Sequence, residues 1–159
     1  MDILTPRGQA TIEKERRAVE IWLKHFPTYL YIETPKNEPA IIDAVLSVDG
    51  VMQAAVETKC RDFTLEEFRG KYNSEALIDH QKLINASNIA AGLCVPLAFF
   101  VYLVPDDELL YELVWHPKDG WLRQMSIKQI WTQASVNGGK VKKSCAFIDM
   151  RDAKILKGK

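Results

Sequence analysis

Residues 41–61, IIDAVLSVDGVMQAAVETKCR, limit what this chain can become more than any other stretch. Ile41-Ile42 and Ala44-Val45-Leu46 form an apolar, β-branched run, Asp49-Gly50 is a hairpin-turn pair, and Ala54-Ala55-Val56 opens a return strand. Three charged residues, Asp43, Glu57 and Lys59, interrupt this pair. Such side chains are seldom buried unless paired or bound to a metal, because stripping them of water is costly. A divalent cation held by the carboxylates would account for their convergence on one apolar hairpin.

Side chains alternate faces along a strand, so Glu57 and Lys59 point the same way. A two-residue Asp49-Gly50 loop would pair Asp43 with Val56 and put Asp43 and Glu57 on opposite faces. A three-residue loop, Val48-Asp49-Gly50 with Gly50 left-handed in a bulge, pairs Ser47 with Val51 instead. Asp43 then faces Ala55, with Glu57 its diagonal neighbour about 7–8 Å away, a gap that a metal could bridge. A shared metal site thus predicts a bulged turn over residues 48–50.

Asp43 followed by Glu57-Thr58-Lys59 at the end of an apolar strand resembles the signature of the PD-(D/E)XK nuclease superfamily, although Ile42 stands where a proline often precedes the aspartate. The resemblance covers roughly residues 13–102. Within the superfamily it is nearest to the archaeal-type Holliday-junction resolvases, through Glu15-Arg16, Trp22-Leu23 and residues 26–32. It implies an α/β fold: a restriction-endonuclease-like mixed sheet flanked by helices, with an αβββαβ core and a small C-terminal β/α extension, in one domain over residues 1–159. It also implies a Mg²⁺- or Mn²⁺-dependent nuclease, acting on DNA more readily than RNA and on duplex or branched substrates. Asp43 and Glu57 would hold the metal, with the backbone carbonyl of Thr58 as a further ligand, and Lys59 would orient water or stabilise phosphate. Gln81 would approach the lysine or a substrate phosphate, as a glutamine or basic residue on that helix often does in the superfamily. The alternative is a protein that keeps the fold and binds nucleic acid, or assembles, without cleaving.

The rest of the chain reads in order. Residues 11–26 form an amphipathic helix capped by Thr11, with Ile12, Val19, Trp22, Leu23 and Phe26 on one arc. Glu15 falls inside that arc, either as an edge glutamate paired with a nearby arginine or, as the resemblance implies, as the acid that reaches the metal site to ligate a second metal or position water, ahead of Glu20. Residues 29–34 read as the first strand, 35–39 as a loop, and Thr64 with Glu67 as a capping box. Residues 74–93 read as a second long helix, 95–104 and 109–115 as strands, 126–132 as a short helix, 137–139 as a turn and 140–150 as a last strand. Trp115, Trp121 and Trp131 are read as core or interface residues.

Composition adds limits. A chain of 159 residues can build a real core, and its aromatic content suits a globular protein. No apolar run reaches membrane-spanning length, and the first residues carry no signal-peptide pattern. Cys60, Cys94 and Cys145 are odd in number and widely spaced, which fits a reducing compartment and a cytoplasmic protein. The formal net charge is zero, so grip on nucleic acid is expected to be weak or assisted by a partner such as a second copy. The basic run toward the C-terminus reads as solvated surface.

Overall fold

The computed structural model describes residues 5–35, 40–133 and 139–159. Among them it contains α1 (Pro6–His25), β1 (Leu30–Glu33), β2 (Ala44–Val48), β3 (Val51–Arg61), α2 (Leu65–Gly70), β4 (Glu75–Asp79), α3 (His80–Gly92), β5 (Leu97–Leu103), β6 (Glu108–His116), β7 (Gly120–Trp121), β8 (Met125–Gln133), β9 (Lys140–Asp149) and β10 (Lys154–Lys157). It is a mixed α/β protein with a large mixed sheet and few helices. That sheet runs β1-β2-β3-β5-β6-β10, with β7 paired to β6; β4-β9-β8 form a second, antiparallel sheet. Only β3 and β5 pair in parallel among the described strands, and the path between them runs through α2, β4 and α3.

Helix α1 starts earlier than its apolar spacing predicts. Thr5 is the cap, its Oγ1 accepting from Gly8 N at 3.1 Å, and Pro6 takes the first helical position, where a missing N–H costs nothing. The Thr11 hydroxyl bonds back to Arg7 O inside the helix. The helix buries Ala18, Ile21 and Trp22. They meet Ala44, Leu46, Ala54, Val56, Phe100 and Leu109 on one face of the main sheet. The Trp22 ring stacks on Phe26 at 4.3 Å and meets Tyr111 edge-on at 4.8 Å.

The hairpin turn has two residues, not three. Asp49 and Gly50 have φ of 51° and 78°, the left-handed pair of a type I′ turn, and Val48 pairs with Val51. The extra residue enters later. Ser47 pairs with Met52 but Leu46 pairs with Ala54, so Gln53 bulges out of β3. From there Ala44 pairs with Val56, and one step further Asp43 comes level with Glu57. The expectation that a two-residue turn would separate the carboxylates fails because parity was reset inside the strand rather than at its end.

Two predicted helices are corrected. Residues 75–79 are a strand whose burial alternates, Ala76 and Ile78 inward, paired to β9. Helix α3 starts only after Asp79, whose carboxylate caps Gln81 N at 2.9 Å and Lys82 N at 3.2 Å. Residues 126–132 belong to β8, in unbroken register with β9, so pairing overrides the cap-like Ser126. The C-terminal extension is therefore all β among the described residues. The capping box at Thr64 and Glu67 is present at α2. The turn expected at 137–139 lies outside the described residues except for Gly139, as does most of the loop at 35–39.

The opposite face of the main sheet buries Ala55, Leu97, Phe99, Val101, Leu103, Leu110 and Val114. Above them pack Leu83, Ala86 and Ala90 of α3 and Ala76, Ile78, Ala146 and Ile148 of the second sheet. Each fully buried Leu, Ile or Phe here contributes about 1.5–3 kcal/mol. Among the described residues no helix is long and apolar enough to cross a membrane. Trp115 packs half-buried against this core, while Trp121 and Trp131 are exposed and so lie outside it.

Candidate functional site

Alternation along β3 puts Ala55, Glu57, Lys59 and Arg61 on the α3-covered face. Arg61 reaches across the layer, its Nη2 donating to Leu77 O at 2.6 Å, and so fixes β4 over the end of β3. Strand β4 in turn delivers α3, and the first turn of α3 delivers Lys82. The Lys82 Nζ lies 2.9 Å from Glu57 Oε1, and the Lys59 Nζ lies 3.2 Å from the same oxygen.

Glu57 is completely buried. Both ammonium groups face Oε1, and Oε2 is buried with no protein donor. Burial pushes the Glu57 carboxyl above the usual carboxylate range; Lys59 and Lys82 oppose this and Asp43 reinforces it. Burial pushes the Lys59 amine below its ordinary value, with Glu57 opposing. Burial acts on Lys82 in the same sense, but the Glu57 carboxylate outweighs it and leaves that amine raised and charged.

Asp43 is placed by its backbone. Its N–H donates to Val56 O at 2.9 Å, its carbonyl accepts from Thr34 N at 3.0 Å, and the Thr34 hydroxyl bonds the carbonyls of Ile42 and Asp43. The Asp43 Oδ2 accepts the Thr58 N–H at 2.7 Å, so the side chain takes the place of a ladder bond where β2 and β3 part. Asp43, Glu57, Lys59 and Lys82 thus converge at the mouth of the hairpin.

Glu15 is half-buried on the other layer, where α1 covers the sheet. Its charge acts on Tyr31, which also feels Asp43, and on Cys60. Glu20 faces water and pairs with Arg17 at 3.0 Å. Gln81 is exposed and donates to Asn85 Oδ1, so its neighbour Lys82 occupies the place expected of it. A signal for Lys82 was available: it heads the row Lys82–Ala86–Ala90 on the apolar side of α3, where a charge needs a partner. Missed too was Glu112 on β6, level across the sheet with Phe99 and Glu57. It is buried and paired with Arg123.

Among the described residues no three His, Cys, Asp or Glu side chains are gathered as a metal cage. The donors at the hairpin mouth are two carboxylates, one with an unpartnered buried oxygen. That suits Mg²⁺, which is commonly held by one or two carboxylates plus water and substrate phosphate. No protein-family model matches this chain, and no curated protein or solved structure was found to match it.

Proposed function

We propose that the chain is a metal-dependent nuclease that hydrolyses phosphodiester bonds in DNA, with its centre at Asp43, Glu57 and Lys59. The observation that carries this reading is the fully buried Glu57, one oxygen unpartnered, level with Asp43 and beside the Lys59 ammonium. Glu108 and Glu112 also keep a buried oxygen without a donor, so what sets Glu57 apart is the second carboxylate and the two lysines gathered round it. The order α1, β1-β2-β3 meander, α3, parallel β5, with α2 and β4 inserted before α3, supports it, since it contains the αβββαβ succession that the resemblance implies.

Asp43 and Glu57 would hold Mg²⁺ or Mn²⁺. When bound, the ion supplies Lewis-acid charge at the phosphate and acidifies water. Lys59, its pKa lowered by burial, orients the attacking water and takes part in its proton transfer. Lys82 stays charged and offsets negative charge on Glu57 and on an arriving phosphate. A second reading, a binding protein that keeps the fold without cleaving, has one specific observation in its favour: Lys82 already neutralises Glu57 without a metal. Incubation with single-stranded, duplex and branched DNA, in Mg²⁺, Mn²⁺ or EDTA, separates the two. Divalent-dependent cleavage lost in Asp43→Asn supports the nuclease; binding of these substrates without cleavage in either metal overturns it.

A further inference from the structure

Strands β8 and β9 run together as a two-stranded ribbon from Met125 paired with Ile148 to Gln133 paired with Lys140. At its base the ribbon is part of the body, for Ala146 and Ile148 are buried in the core and β9 is hydrogen-bonded to β4. Alternation carries this same face outward through Ser144 to Lys142 and Lys140, with Trp131 directly across from Lys142. Trp131 is 67% exposed, an unusual position for the largest apolar side chain.

The charge of the ribbon is one-sided. Residues 125–148 contain Lys128, Lys140, Lys142 and Lys143 and no Asp or Glu, in a chain whose formal net charge is zero. Among the described residues the ribbon lysines have a single acidic contact, Lys143 with Asp79 at 3.6 Å. Asp79 is the cap of α3, and Lys82 in that first turn lies 2.9 Å from Glu57. The ribbon is therefore rooted within one helical turn of the candidate centre.

We infer that the β8–β9 ribbon is a gripping arm for an unpaired stretch of nucleic acid, with Lys140 and Lys142 on backbone phosphates and the Trp131 indole stacked on a base. Acid-free basic charge fits a polyanion, and an exposed aromatic between lysines is the pairing that single-strand grooves use, because every base offers a face to stack on. This deepens the nuclease reading and rests on it for the substrate class: the branched or partly unwound DNA taken at the centre would present its unpaired strand to the ribbon.

The test measures binding in EDTA, where no cleavage occurs, by fluorescence anisotropy of a labelled oligothymidylate of about 20 nucleotides, longer than the site sizes of such grooves. A labelled duplex of equal length is the comparison. Trp131→Ala should weaken single-strand binding about tenfold or more and duplex binding much less. The Lys140→Ala/Lys142→Ala pair should lower the slope of log affinity against log salt by about 1.4 for the single strand. Thermal melts of both variants should match wild type, since the side chains changed are exposed. Single-strand affinity and slope equal to wild type in both variants would overturn the inference. So would a change in oligomeric state on Trp131→Ala with binding intact, which would make the ribbon a contact between copies. Ribbon-dependent binding without cleavage in any divalent ion leaves the arm standing and removes the nuclease. Metal-dependent cleavage with ribbon variants that bind as wild type does the reverse.

Discussion

Two buried carboxylates, Glu57 and Asp107, are treated in opposite ways. Asp107 Oδ2 takes Arg17 Nη2 at 2.6 Å, while Oδ1 takes Arg17 Nε at 2.9 Å and the Tyr102 hydroxyl at 2.7 Å. Gly158 closes the cluster, its N–H donating to the Asp107 carbonyl and its own carbonyl accepting from Arg17. The Arg17 hydrogen bonds hold the Asp107 carboxyl down to about 2. Glu57 also has cations beside it, yet one oxygen lacks a donor and its pKa is raised, not lowered. Asp107 ties α1, the turn before β6 and the C-terminal Gly158 together with a donor on each oxygen. Glu57 is left with an oxygen short of a donor, as is Glu112 beside Arg123, and that expense is tolerated because the rest of the fold supports it.

The comparison can be broken most sharply at Lys59. Lys59→Ala should lower the cleavage rate on the order of 10²–10⁴-fold. Its melting temperature should fall little, because Lys82 still faces Glu57 Oε1. Cleavage rates and melts on one preparation read both, and an unfolded variant with Mg²⁺ present would mean that Lys59 is structural.

At the other carboxylate the outcome is reversed. Asp107→Ala should cost about 1.5–3 kcal/mol of stability and leave the rate constant for cleavage unchanged. The sign with pH follows from the lowered pKa: the carboxylate's contribution is complete above its unfolded value of 3.8 and is lost as pH falls toward about 2. Urea unfolding of wild type from neutral pH downward should show that loss, and Asp107→Asn should lack it. A smaller effect belongs to Tyr102→Phe, which removes one of the carboxylate's donors and should cost about 1 kcal/mol in the same experiment. Smallest of all is Gln81→Ala: its side chain is exposed and bonded only to Asn85 in the described structure, so the change should stay within about 0.5 kcal/mol and keep full cleavage.

How far the sequence alone could reach follows from the range of each signal. The hairpin, the capping box and the inward strand residues were legible because turn chemistry and period-two alternation are local. The bulge at Gln53 was not, since nothing in Met52-Gln53-Ala54 marks it and it shows only in the pairing of β3 with β2. Residues 75–79 were absorbed into a helix because strand β4 depends on β9, distant in the chain. The same merger hid Asp79 as the cap, and with it the phase of α3; the resemblance asked for a glutamine or a basic residue on this helix, and only that phase tells Lys82 from Gln81. Glu15 was rightly separated from solvent-facing Glu20, but a helical wheel shows only that a residue points inward, not which face of a sheet it meets.

The parallel pairing of β3 with β5 has a consequence for the order of assembly. Hairpin β2–β3 closes over two residues, a microsecond event, whereas β5 reaches β3 only after α2, β4 and α3 have been traversed. Closing distant contacts costs more chain entropy and is slower. Asp43 and Glu57 are therefore expected to meet while still hydrated, and Glu57 to lose its water when α3 brings Lys82 down. Changes at Glu57 should then alter the rate of unfolding more than the rate of folding, which a chevron of Glu57→Gln reads directly.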